Sequence, residues 1–205
     1  MRLRNDKSAG DKLNNSIYFL NKFPVKINKN CIIEIGAGKG EMISQLALKN
    51  QDITFYALEK YQTVAAKIIK KIDELSLKNL FVICEDANKL SEIFEGKVNE
   101  LWLTFSDPWP KKRHEKRRLT HKDFLTEYAK ILNENGTLKV KTDNDEFFNF
   151  SVESLNENNW KINALTNDLH NSKYNEKNEK TGYELKWSQV GKNINYLEAK
   201  KPTTN

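Results

Sequence analysis

Three carboxylates recur along the first half of the chain, each at the end of a short apolar run. Glu34 lies in Cys31 to Ile35, Glu59 follows Ile53 to Leu58, and Asp86 follows Leu80 to Cys84. Directly after the first run comes Gly36-Ala-Gly38-Lys-Gly40, whose glycines permit a tight turn and let backbone N–H groups approach a ligand closely. The spacing differs from G-x-G-x-x-G, and an acid beside such a loop disfavours a diphosphate and favours a ligand carrying an amino group or a sulfonium. Glu59 is placed to accept both hydroxyls of a ribose, and Asp86 suits the exocyclic amine of adenine. One acid at each of three successive strand ends describes S-adenosylmethionine. Each acid also has a plainer reading: Glu34 binding local N–H groups, Glu59 a surface acid, Asp86 a helix N-cap.

A fourth apolar run, Leu101 to Phe105, leads into Ser106-Asp107-Pro108-Trp109-Pro110 and then into Lys111-Lys-Arg-His-Glu-Lys-Arg-Arg118. The two prolines stiffen a loop that sets Asp107 and Trp109 at the same edge as the three acids, with positive charge just outside. Those eight residues carry six Lys/Arg and one Glu, so of the net charge of +6 only +1 belongs to the rest of the chain. Lysine outnumbers arginine 29 to 5, yet Arg113, Arg117 and Arg118 cluster here, the remaining two being Arg2 and Arg4. Arginine kept where lysine is otherwise used points to planar, bidentate contact with phosphate or base. Phosphate attraction, a stacking plane from Trp109 and an acid that reads an N–H edge suit a methyltransferase acting on nucleic acid. A turn-starting Asp107, a core Trp109 and a solvated charge run are the alternatives.

These residues need a scaffold that brings strand ends to one edge. The apolar runs, with Thr137 to Val140 as a fifth, alternate with helical patterns at Gly40 to Lys49, Gln62 to Leu75, Lys122 to Leu132 and Asp145 to Leu155. Alternation of this kind predicts a doubly wound α/β fold, its mostly parallel sheet covered by helices on both faces. Thr181-Gly-Tyr-Glu184 has a capping-box pattern and opens a short helix ending near Gly191. Strands are expected at Trp160 to Leu165 and Asn193 to Ala199, with the first 15 residues a mobile arm and 167–180 a mobile loop. At 205 residues and 38% hydrophobic, the chain reads as one domain. No run of about 18 apolar residues exists, so a membrane span is not expected. Cys31 and Cys84 have no paired spacing, which argues against a metal site or a disulfide framework and for a cytoplasmic setting.

The block Phe105-Ser-Asp-Pro-Trp-Pro-Lys-Lys-Arg-His114, continued by Lys116-Arg-Arg-Leu119, resembles the signature of the bacterial tRNA (guanine-N7-)-methyltransferases, the TrmB family. Matches in the family's order extend it: Ile33-Glu-Ile-Gly36 with Gly38 and Gly40, Glu59, Glu85-Asp-Ala-Asn88, Lys141-Thr-Asp-Asn144, Asp168-Leu-His170 and Thr181-x-Tyr183-Glu184. The resemblance implies a Rossmann-like class I methyltransferase fold, S-adenosylmethionine as donor and the variable-loop guanosine of tRNA as acceptor. It implies that Glu34, Gly36, Gly38, Gly40, Glu59, Asp86, Asn88 and Asp107 hold the donor or the reaction centre, with Asp107 catalytic. Trp109, Lys111, Asp143 and the segment Thr181, Tyr183, Glu184 would meet substrate, and Arg113, Lys116, Arg117 and Arg118 the RNA. The chain departs from the family in lacking a Pro-Trp pair in the amino-terminal arm and in carrying Gly182 where a larger residue is usual. Asp143 could instead cap the following helix. An exocyclic-amine methyltransferase, a non-catalytic RNA-binding protein and a dehydrogenase stand as rivals.

Overall fold

The computed structural model describes residues 6–203. Arg2 and Arg4 lie outside the described residues. In chain order the elements are α1 (Ala9–Asn14), β1 (Phe19–Leu20), β2 (Val25–Lys26), β3 (Cys31–Ile35), α2 (Glu41–Lys49), β4 (Thr54–Leu58), α3 (Gln62–Glu74) and β5 (Leu80–Ile83). There follow α4 (Leu90–Ile93), β6 (Phe94–Glu95), β7 (Val98–Thr104), α5 (Lys122–Ile131), β8 (Leu132–Thr142), α6 (Asp145–Glu157), β9 (Lys161–Thr166), α7 (Gly182–Gln189) and β10 (Asn195–Lys200). Eight strands form one sheet in the order β1-β5-β4-β3-β7-β8-β10-β9. The first six run parallel, whereas β10 is antiparallel to both β8 and β9. The doubly wound, mostly parallel sheet read from the sequence is the observed one.

Alternation along each strand sends side chains to two separate cores, as a parallel sheet with both faces covered requires. Phe55, Ala57, Leu80 and Val82 pack with Ala47, Ala65, Ile68 and Ile72 of α2 and α3. Tyr56, Leu58, Leu101, Leu103 and Val140 pack on the other face with Phe124, Tyr128, Phe147 and Leu155 of α5 and α6. A third, smaller cluster joins Met42 of α2 and Trp102 to Leu169, Ile194 and Tyr196, so residues near 169 extend the cover that α2 gives this part of the sheet. The stretch 167–180, expected as a mobile loop, contains a 3-10 turn at Lys173–Lys177 and is tied to the body through buried Leu169.

Several boundaries differ from those read in the sequence, β7 for example starting at Val98 and β10 at Asn195. Residues 9–14, expected to belong to a loose arm, form α1, which buries Ala9 and Leu13 against the α2–α3 face. Strand β8 starts at Leu132 instead of Thr137, because Leu132 is fully buried and pairs with Val98. Residues 133–136 then bulge before Thr137 pairs with Glu100.

Candidate functional site

The parallel strands end on one edge, and the loops leaving β3, β4, β5, β7 and β8 meet there. After β3 the chain turns at once: the N–H groups of Gly36 and Ala37 both donate to the Leu58 carbonyl, at 2.8 and 3.1 Å. Gly40 has φ +69°, and a Cβ there would lie 2.9 Å from an Ile68 methyl, so only glycine lets α3 pack this closely. Gly38 has φ +57° with nothing within 4 Å of where a Cβ would stand, which leaves its backbone open to a ligand. Its N–H donates to Glu59 Oε2 at 2.9 Å, and the Tyr61 N–H donates to Oε1 at 3.0 Å. Two of about four acceptor positions on Glu59 stay free, enough for a pair of hydroxyls. Burial pushes the Glu59 carboxyl up, those N–H groups oppose it, and the nearby charge of Asp107 adds to the rise.

Glu34 sits beneath the loop, 2% exposed. Its Oε2 is buried without a hydrogen-bond partner. Burial pushes this carboxyl up to about 7, against the pull of the Thr104 hydroxyl, the Lys141 ammonium and the Ile43 N–H. An orphaned buried oxygen is costly unless something else supplies a donor. A ligand ammonium would supply both donor and charge. The third acid is more occupied. Asp86 Oδ1 accepts from the Asn88 N–H at 3.0 Å, capping the 3-10 turn Ala87–Lys89, and Oδ2 takes Lys60 Nζ at 2.7 Å. Burial would raise its pKa, yet the Lys60 and Asn88 bonds outweigh this and hold it below the usual carboxylate value. The plainer N-cap reading of Asp86 is therefore correct as geometry. Asn88 is exposed beside it. Together the glycine loop, Glu34 and Glu59 fit a ligand with an ammonium and a ribose, without a diphosphate.

The loop after β7 is held in an unusual backbone shape. Phe105 and Trp109 have φ +50° and +42°, the left-handed region where a bulky residue costs about 1–3 kcal/mol. Between them Asp107 is exposed, and its charge helps to raise the Glu59 carboxyl. Lys111, Arg113, Lys116 and Arg117 are exposed around the 3-10 turn Lys112–Arg117, as an RNA-facing surface needs. Arg117 places its guanidinium 4.8 Å from the centroid of the Trp109 ring, so one face of the expected stacking plane is covered by a cation.

Arg118 is a correction to the expectation of RNA contact. It is only 9% exposed and turns inward, away from its neighbours in sequence. Nε donates to the carbonyls of Pro108 (3.1 Å) and Trp109 (3.4 Å), and Nη2 donates to Trp109 at 3.2 Å. The guanidinium lies 4.3 Å from the Phe150 ring centroid on α6. The segment it opens is anchored in the body: Leu119 O accepts from Tyr128 Oη and Thr120 is fully buried.

Thr181 and Glu184, expected to meet substrate, are buried at 6% and 0% exposure. The two close a reciprocal capping box at the start of α7. Glu184 also accepts from Lys141 Nζ at 2.6 Å and from Asn178 at 2.7 Å, and it lies 2.7 Å from His170 Nε2. Lys141, itself fully buried, further donates to Asn178 and to the Glu179 carbonyl. Burial lowers the Lys141 pKa, and Glu184 opposes that. This network accounts for the Lys141, His170 and Glu184 motifs without a substrate. Tyr183, by contrast, is 43% exposed, donates to Asp143 Oδ2 at 3.0 Å and meets the Phe105 ring edge-on at 4.9 Å. Asp143 does not cap α6; Asn144 does, accepting from Phe147 N–H. The structure thus brings Asp143 and Tyr183 to Phe105 at the root of the Asp107 loop. At the start of α7 the Gly182 N–H donates to Glu41 Oε2 on α2 at 2.8 Å.

Among the described residues no helix is long and apolar enough to cross a membrane and no His/Cys/Asp/Glu group could hold a metal ion. Solved structures support the fold. The chain is similar to the 16S rRNA methyltransferase KamB, at TM-score 0.62 and 13% identity, covering 98% of this chain and 96% of that one. It is also similar to an rRNA methylase from Streptococcus thermophilus, at TM-score 0.57, 12% identity and 99% of both chains. In sequence it is 59% identical to the tRNA (guanine-N(7)-)-methyltransferase of Mycoplasmopsis synoviae (strain 53), over 98% of each chain. It is 54% identical to that of Mycoplasmopsis agalactiae, over 98% of this chain and 99% of the relative. A family model described as "Putative methyltransferase" matches residues 28–197, and with these relatives it shows that the chain belongs to the TrmB family of tRNA (guanine-N7-)-methyltransferases.

Proposed function

We propose that this protein transfers a methyl group from S-adenosylmethionine to N7 of the variable-loop guanosine of tRNA. One observation carries the reading: the sheet edge sets the glycine loop with Glu34 and Glu59 beside exposed Asp107, with the exposed cationic turn Lys111 to Arg117 adjoining. When bound, the donor supplies an electrophilic methyl on a sulfonium. Glu34 would receive its amino group, Glu59 its ribose hydroxyls, and the segment Asp86 to Asn88 would lie against its adenine.

Guanine N7 carries a lone pair and no proton, so transfer needs no general base. This chain's residues then have two tasks: alignment of the two substrates, and stabilisation of the positive charge that grows on the purine. Asp107 performs the second if its carboxylate accepts from the guanine N1–H and amino group, whose protons become more acidic as N7 is alkylated. Lys111, Arg113, Lys116 and Arg117 hold the RNA backbone, and Tyr183, steadied by Asp143, offers an exposed ring to a base drawn from its stack. Nucleoside analysis of tRNA incubated with protein and S-adenosylmethionine tests the reading. It requires 7-methylguanosine to appear; methyl found on an exocyclic amine, or nowhere, refutes it.

A further inference from the structure

We infer that Arg118 is a positioning residue for the Asp107 loop, acting from inside the fold on the shape of that loop instead of binding the RNA. Resting on the proposed function, the inference assigns one member of the cationic cluster a different task from its neighbours. The loop from Phe105 to Trp109 is bounded by two non-glycine residues in the left-handed region, and such a shape persists only when its surroundings over-determine it. At the Phe105 end the backbone is held by β8, through Phe105 N–H to Lys141 O at 2.8 Å. At the Trp109 end the carbonyls of Pro108 and Trp109 are both taken by Arg118. Both carbonyls are satisfied by one planar guanidinium, whose rigid fork fixes their relative position more tightly than a flexible ammonium does.

The guanidinium is fixed from behind as well. Phe150 of α6 covers it, and the next residues are pinned by Tyr128 Oη on Leu119 O and by Ser154 Oγ on Thr120 O at 2.6 Å. Arg118 therefore joins a rigid wall made by α5 and α6 to the backbone one residue after Asp107. Its neighbour Arg117, exposed and lying on the Trp109 ring, remains free to turn toward RNA. Aligning a carboxylate on the reacting base is sensitive to position, a displacement of about 1 Å costing on the order of 100-fold in rate.

The test compares Arg118→Lys with Phe150→Leu, which removes the ring behind the guanidinium, and with Arg113→Ala/Arg117→Ala as the phosphate-contact control. For each, kcat and KM for tRNA and the salt dependence of tRNA binding are measured, counting folded protein by its donor stoichiometry. Hydrogen exchange of the Ser106, Asp107 and Trp109 amides is followed by mass spectrometry. Arg118→Lys is expected to lower kcat by about 10–100-fold. Its KM and salt slope should stay at wild type, and exchange at 106–109 should rise. Phe150→Leu should do the same more weakly, and it carries the test if Arg118→Lys does not fold. The arginine control should do the reverse. A raised KM with a shallower salt slope in Arg118→Lys overturns the proposal, as does unchanged exchange at 106–109. Wild-type transfer to tRNA in the same runs judges the proposed function separately, since the exchange result stands whether or not tRNA is methylated.

Discussion

Donor affinity should rise with pH through the neutral range, because Glu34 must be ionised to receive an ammonium. Its carboxyl, pushed up to about 7 by burial, is mostly neutral at pH 6. Binding there must first expel the proton. With a free-state pKa of about 7, the ionised fraction grows from about 9% at pH 6 to about 76% at pH 7.5, so the dissociation constant should fall about eightfold. The donor's own amino group has a pKa near 8, which confines the comparison to pH 7.5 and below. Isothermal calorimetry in buffers of differing ionisation enthalpy reads both the affinity and the proton released. Glu34→Gln should abolish the limb and weaken binding at pH 7.5. The sign for folding is opposite: a raised carboxyl pKa contributes stability that is complete below about 4.5 and is lost as pH rises through about 7. Glu34→Gln should therefore melt higher than wild type at pH 8. An affinity flat between pH 6 and 7.5, with no proton release, would refute the place given to Glu34.

Changing Arg113, Lys116 and Arg117 together to Ala should weaken tRNA binding and reduce the magnitude of the log K against log[salt] slope by about 2, taking ~0.7 per phosphate. Donor affinity, by calorimetry, should stay at wild type. Asp107→Asn should lower kcat by about 100–1,000-fold with little change in KM for tRNA, since a transition-state interaction is lost; a silent variant would leave Asp107 as a turn former. Lys141→Met strands Glu184 in the interior and should cost about 3–5 kcal/mol in urea unfolding. A loss under 1 kcal/mol would show that His170 and Asn178 suffice to hold that carboxylate.

The sheet and the cofactor loop were legible because both rest on local patterns. Apolar runs such as Leu80 to Cys84 are too short for buried helices and read as buried strands, and the spacing of Gly36, Gly38 and Gly40 announces a tight turn. What escaped the sequence depends on contacts between distant residues. Arg117 and Arg118 are identical in type and adjacent, yet one lies exposed on Trp109 and the other grips the loop from within, a difference set by Phe150 and buried Thr120. Lys141 and Glu184, 43 residues apart, look like strand and helix charges until the fold brings them to 2.6 Å. A signal for Lys141 was present: it alternates with Leu138 and Val140 on a central strand, where a solvated lysine has no place. Helix α1 hides because only Ala9 and Leu13 of a polar stretch are buried.

Methyl transfer to N7 is most directly tested with two tRNAs that differ in one atom of the variable-loop guanosine. One carries guanosine and the other 7-deazaguanosine, which has a carbon in place of N7 and keeps both the N1–H and the exocyclic amine. The account predicts one methyl per molecule transferred from labelled S-adenosylmethionine to the first and none to the second, with equal binding of both. Transfer to the 7-deaza tRNA at a comparable rate would contradict it and place the methyl on an atom other than N7.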